Sequence, residues 1–308
     1  MEFEKHKDRT IAGRWHKSGG GEKERGAFTL VELLVVIAVI SILMSIVTPA
    51  LSKARRRARA IRGMSNQRQI VLAVGSFAAD NDGLYPDSVA TIGRLDGHWN
   101  WHEPMKLLGH QARSPRMYRS ASAYLRSYLE DPDNVYCPNA PRRYEHFDQA
   151  WAEGDKWDNP DTPMRDDPLT GTYCFYWNYT GYLKDRGTLF QGPRGPLGGA
   201  NQSTLLVSCF FGYDQYLSRG KYGSCEEFGK ADFTEGSYEW PSYWSGGDTS
   251  GSAPPDAKLH AGYNDGHIES YSSAETAVMS VIRYPETSEP YPSWLGPGDF
   301  HVPQSALP

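Results

Sequence analysis

The sequence predicts an α+β fold. A long N-terminal helix, first transmembrane and then amphipathic, packs on a head made of an antiparallel sheet and long loops. Three observations lead there. Residues 28–47 are almost wholly apolar. Residues 50–79 follow with apolar residues at three- and four-residue spacing among basic ones, a helical period. Beyond residue 80, short apolar runs alternate with Gly, Pro, Asn and Asp clusters, the pattern of strands and turns.

The 308 residues suffice for one large domain or two small ones, and 39% of them are apolar. With 31 Gly and 21 Pro the globular part is expected to be rich in loops. Its Phe, Trp and Tyr residues can either fill a core or form an adhesive face. The net charge of −5 is unevenly laid out. Residues 28–79 hold seven Lys/Arg and one acid, Glu32, whereas residues 80–308 hold 18 Lys/Arg and 31 Asp/Glu. An acidic head speaks against nucleic-acid binding, which needs a positive field. It suits a divalent cation or a basic partner.

Four segments follow from this layout. Residues 1–27 have mixed charge and a run of three glycines, and are expected to be a disordered leader peptide. Residues 28–49 form the transmembrane helix. Its apolar part, Phe28 to Val47, is 20 residues long and spans about 30 Å as a helix, the thickness of a bilayer's hydrocarbon core. It exceeds the h-region of a secretory signal, and basic residues rather than a small-residue cleavage site come after it. Glu32 is its one charge. A carboxylate in lipid costs free energy, so Glu32 calls for a positive partner, and a free α-amino group would serve if the chain were cut just before Phe28. Pro49 closes the segment.

Residues 50–79 form an amphipathic basic helix with one face on the head. Leu51, Ala54, Ala58 and Ile61 begin its apolar stripe, and Ile70, Ala73, Val74 and Phe77 continue it. Lys53, Arg55, Arg56, Arg57, Arg59 and Arg62 cover the other sides, either as a solvated face or in contact with lipid phosphates or acidic heads. Asp80-Asn81-Asp82-Gly83 ends the helix, with Gly83 as cap.

The stretch "AFTLVELLVVIAVISILMSIVTPAL" resembles the amino terminus of type IV prepilins and type II secretion pseudopilins. The resemblance implies a pilin-like fold and cleavage by a prepilin peptidase between Ala27 and Phe28, with N-methylation of Phe28. Glu32 becomes the fifth mature residue and pairs with the amine of a neighbouring subunit. Pro49 falls at the family's helix kink. Ala27 stands where the family prefers Gly, which implies slower processing. The family topology is a single-pass inner-membrane protein with a cytoplasmic N-terminus and a periplasmic head. The basic flank at 53–62 runs against the positive-inside rule.

Residues 80–308 form the acidic, aromatic-rich head. "SNQRQIVLAVGSFAADNDGLYPDS", "VYCPNAP" and "HAGYNDGHIESY" resemble segments of a pseudopilin-like group best known from planctomycete-type bacteria. In that group about nine residues separate the C-terminal His from Asp-Gly, whereas four lie between His260 and Asp265-Gly266 here. Asn264-Asp265-Gly266 then predicts a tight hairpin turn. Strands are expected at 172–183 and 203–211 and a helix around 117–129, with irregular loops at 139–171, 191–202 and 241–258.

Cys137, Cys174, Cys209 and Cys225 lack a C-x-x-C spacing, so they are disulfide candidates or buried thiols rather than zinc ligands. His98 and His102 are spaced to share a metal on a helix, or to sit in an aromatic loop with Trp99 and Trp101. Asp80 and Asp82 are candidate Ca²⁺ ligands, with a helix cap as the simpler alternative. No other cofactor is expected. No G-x-S-x-G, P-loop or dinucleotide fingerprint occurs. His260 and Asp265 could form an acid/base pair, although a structural role in the hairpin accounts for them more simply.

The expected function is therefore that of a non-enzymatic pseudopilin-like subunit of a type II secretion or type IV pilus-like assembly. Its expected partners are prepilin peptidase, other pseudopilins, the inner membrane, and glycan or secreted cargo. The alternative is a membrane-anchored periplasmic glycan-binding protein or hydrolase that reuses the prepilin anchor.

Overall fold

The computed structural model describes residues 29–90, 104–107, 120–139, 145–157, 171–214, 219–223, 258–272, 274–282 and 299–308. It confirms the α+β class: a long N-terminal apolar helix followed by a head with two antiparallel sheets. The chain divides into two units, Met1–Ser52 and Lys53–Pro308.

Helix α1 spans Leu30–Asp80, with Pro49 inside it. In the first unit every described residue is exposed. Ser41, Ser45 and Thr48 turn their hydroxyls onto the carbonyls of Ile37, Ile42 and Met44 at 2.7–2.8 Å, so these polar groups are satisfied within the helix. Pro49 has no amide to offer the Ser45 carbonyl, which breaks one rung of the ladder.

In the second unit α1 buries Gly63, Asn66, Gln67, Ile70, Val71, Ala73, Val74 and Ala78, a stripe of 3.6-residue period. The packed face thus begins at Gly63. Leu51, Ala54, Ala58 and Ile61, expected to open the stripe, are exposed, with Ile61 at 67%. Their spacing is helical, but helical spacing alone does not bury a side chain. Gly83 ends the helix at φ 73°, donating its amide to the Ala78 carbonyl at 2.9 Å. This six-to-one bond follows Asp82, left-handed at φ 53°, as in the Schellman arrangement.

The head strands are β1 (Tyr173–Phe175), β2 (Thr180–Leu183), β3 (Thr188–Gln191), β4 (Leu205–Cys209), β5 (Phe211–Asp214), β6 (Arg219–Gly223), β7 (Lys258–Tyr263), β8 (Ile268–Ser272), β9 (Thr276–Ser280) and β10 (Asp299–Pro303). They form a four-stranded sheet in the order β1-β4-β7-β8 and a six-stranded sheet in the order β3-β2-β9-β10-β5-β6. Two expected strands are each split. The run 172–183 breaks at Asn178, which adopts φ 52° and donates to the carbonyls of Tyr85 and Pro86. The run 203–211 breaks at Phe210, where the chain leaves one sheet for the other. The β8–β9 connection crosses in the same way, so the two sheets are interleaved in sequence.

The second half of α1 lies on the four-stranded sheet. Gln67 Nε2 donates to the His260 carbonyl of β7 at 3.2 Å and lies 3.5 Å from Cys209 Sγ of β4. The Tyr173 hydroxyl of β1 reaches the Gly63 carbonyl at 3.4 Å. Gly262 of β7 permits the close approach: a Cβ there would sit 2.9 Å from Val71 and 3.0 Å from Ile268 and Val207. Ile70 and Val74 are fully buried, each contributing about 1.5–3 kcal/mol.

Two short helices flank this core. Within the expected helix around 117–129 the described residues form α2, Ala121–Leu125, capped by the Ser120 hydroxyl on the Ala123 amide. Within the expected loop 139–171 the chain forms α3, Phe147–Glu153, which buries Phe147 and Trp151. Among the described residues the three tryptophans, Trp151, Trp157 and Trp177, are all core residues.

Candidate functional site

Glu32 stands in the first turn of α1 and is exposed. Its Oε2 accepts from the Thr29 amide at 2.8 Å and the Thr29 hydroxyl at 2.7 Å. The Thr29 hydroxyl oxygen in turn accepts from the Glu32 amide at 3.2 Å. This is a capping box, T-x-x-E, which satisfies two amides that a helix start otherwise leaves orphaned. The carboxylate also faces the positive end of the helix dipole. Oε1 has no hydrogen-bond partner among the described residues and remains open to another donor. Thr29 was not among the expected site residues, although the T-x-x-E spacing announces it. Ala27 and Phe28 lie outside the described residues.

One helix of the described residues is long and apolar enough to cross a membrane. Its apolar run is solvent-exposed throughout, an arrangement that lipid would relieve. The basic residues follow. Lys53, Arg55, Arg56, Arg57, Arg59 and Arg62 are all exposed, and Arg62 lies 3.8 Å from the Asp133 carboxylate.

The helix end holds the two candidate calcium ligands. Asp80 Oδ2 accepts the Tyr128 hydroxyl at 2.8 Å, which raises the Tyr128 pKa. Asp82 sits in the left-handed region at φ 53°, within the turn that ends α1. Among the described residues no group of three or more His, Cys, Asp or Glu side chains converges as a metal site. His98 and His102 lie outside the described residues.

The C-terminal hairpin, β7–β8, turns at Asn264-Asp265-Gly266, with Gly266 at φ 90°. It does not join His260 to Asp265. His260 is inside β7, opposite Ser270, and its Nδ1 lies 2.9 Å from the Ser270 hydroxyl. Burial, with a smaller contribution from the Lys258 charge, lowers the His260 pKa. Asp265 Oδ1 instead accepts the His267 amide at 3.0 Å and lies 2.5 Å from His267 Nδ1. The His267 amide, then its ring, hold the Asp265 carboxyl below its usual range. The His267 ring stacks on Tyr263 with centroids 4.3 Å apart, and the Tyr263 hydroxyl donates to Glu269 at 2.6 Å. Asp265 therefore serves an Asx-type turn. His267, two residues on in D-G-H, was the partner that the sequence offered.

Cys137, Cys174 and Cys209 are buried and form no disulfide among the described residues, and Cys225 lies outside them. Cys174 pairs with Ser208 and Tyr173 with Cys209 across β1–β4. The alternation of a strand thus sends Cys174 and Cys209 to opposite faces, which prevents a bridge between them. Burial pushes the Cys174 thiol up, away from the reactive thiolate.

Residues 23–48 match the family model of the prokaryotic N-terminal methylation motif. The match covers Ala27, Phe28, the Thr29–Glu32 box and the whole apolar run to Val47, and it supports a type IV prepilin-like precursor. No curated protein and no solved structure matches the chain.

Proposed function

We propose that the chain is a structural subunit of a type II secretion or type IV pilus-like assembly, processed by a prepilin peptidase between Ala27 and Phe28. The observation that carries this reading is the methylation-motif match at 23–48, with Glu32 five residues after the cleavage point, on the first turn of an exposed apolar helix. Before assembly the chain is held in the inner membrane by residues 28–49, with its N-terminus in the cytoplasm and its head in the periplasm. Cleavage creates an α-amino group on Phe28, which the peptidase methylates.

The capping box supports a specific role for Glu32. One oxygen is committed to Thr29, which fixes the carboxylate at the helix start, and Oε1 is left for an incoming cation. The methylated amine of a neighbouring subunit is such a cation, and pairing neutralises both charges in lipid. Other pseudopilins, alike or different, are the partners. The glycan-binding or hydrolase alternative gains no specific support, because the described aromatic residues that would carry it are largely in the core.

Mass spectrometry of the mature N-terminus tests the processing step. Methylated Phe28 is expected, and an intact Met1 would refute the reading. Glu32→Ala should leave the protein in the membrane but abolish assembly. Filament yield equal to wild type in that variant would eliminate the pairing role.

A further inference from the structure

We infer that Lys53, Arg55, Arg56 and Arg57 form a collar that binds anionic phospholipid headgroups in the leaflet on the head's side. The inference rests on residues 28–49 spanning a membrane. Three observations favour lipid over a protein partner.

The first is position. Lys53 lies six residues beyond Val47 and Arg57 ten, or about 9 and 15 Å along a helix. Headgroup layers extend about 5–8 Å beyond each side of the hydrocarbon core. Helical side chains tilt toward the N-terminus, which here is toward the bilayer, and the long stems of Lys and Arg can close the remaining distance.

The second is distribution. At about 100° per residue, these four charges spread over more than half of the helix circumference. Headgroups surround a membrane helix and can meet all of them together. An acidic protein surface approaches from one side and meets only some.

The third is availability. All four side chains are exposed, and none forms an ion pair among the described residues. By contrast Arg62, one turn nearer the head, is already within reach of Asp133. The basic run thus changes role along its length, from a free collar to a contact with the head.

The test uses the full chain reconstituted in phosphatidylcholine bilayers with trace spin-labelled phosphatidylglycerol or phosphatidylcholine. Electron spin resonance then reports the share of each probe immobilised at the protein. The expected preference for phosphatidylglycerol is at least about fivefold, the contribution of one engaged basic residue, and it should shrink as salt rises. Replacing Lys53, Arg55, Arg56 and Arg57 together by Gln should bring the ratio close to one, whereas Arg62→Gln should retain it. Equal immobilisation of the two lipids by wild type would overturn the collar, as would an unchanged ratio in the fourfold variant. Salt-sensitive self-association lost in that variant, without lipid preference, would assign these charges to neighbouring heads and also overturn it. Flotation with neutral vesicles checks the membrane span independently, and the N-terminal mass checks processing. Failure of the collar is therefore distinguishable from failure of the proposed function.

Discussion

Replacing Asn66 by alanine removes two hydrogen bonds that fasten α1 to the turn at Pro132–Val135. Asn66 is 4% exposed, and its Nδ2 donates to the carbonyls of Asp133 and Tyr136 at 3.1 Å each. Each bond contributes about 1 kcal/mol net, and the Asp133 carbonyl still accepts the Tyr136 amide after the substitution. The expected loss is about 2 kcal/mol. For a domain of this size that lowers the melting temperature by about 4–8 °C. The same turn offers an internal control. Arg62 contacts Asp133 only at 3.8 Å, with both side chains well exposed, so Arg62→Gln should cost less than about 1 kcal/mol. The assay is thermal unfolding of the full chain in detergent, followed by near-ultraviolet circular dichroism. A melting temperature for Asn66→Ala within 2 °C of wild type, on the order of one kcal/mol or less, would refute the clamp. Equal losses in the two variants would show that the turn is held by charge instead.

Gly262→Ala should destabilise the head by about 1–3 kcal/mol in a urea titration, because the new methyl meets Val71, Ile268 and Val207 at 2.9–3.0 Å. No loss would mean that α1 lies farther from β7. His260 makes the head more acid-sensitive. Its folded pKa is below the ordinary 6.5, so below that pH the unfolded chain binds a proton that the native state resists, and stability falls as pH falls. His260→Gln should flatten the stability profile below pH 6.5 by up to about 1.4 kcal/mol per pH unit, and an unchanged slope would exclude this source. Native alkylation followed by peptide mass spectrometry should leave Cys137, Cys174 and Cys209 unmodified until denaturant is added. Rapid labelling of Cys174 in the native state would contradict its burial.

Local features were legible in the sequence because their signals are local. The apolar length of 28–47 gave a helix that could cross a membrane, and the period of Ile70, Ala73 and Val74 gave a buried face. The Asn-Asp-Gly triplets gave both turns, because glycine accepts the positive φ that Gly83 and Gly266 adopt. The T-x-x-E cap is equally legible, because its two hydrogen bonds join residues three apart.

The tertiary structure decided what depends on distant residues. Two expected strands became four, because Asn178 and Phe210 hand the chain from one sheet to the other, and pairing is settled by hydrogen bonds between segments far apart in sequence. The register of the β7–β8 hairpin set His260 opposite Ser270, which left Asp265 to bond His267 two residues on in the turn. The stripe on α1 shows the division clearly. The sequence by itself determined that Leu51, Ala54, Ala58, Ile61, Ile70 and Val74 occur at helical spacing. Only the fold determined that burial begins at Gly63, because an amphipathic period states which side of a helix could be covered, and the position of the sheet states how far the cover extends.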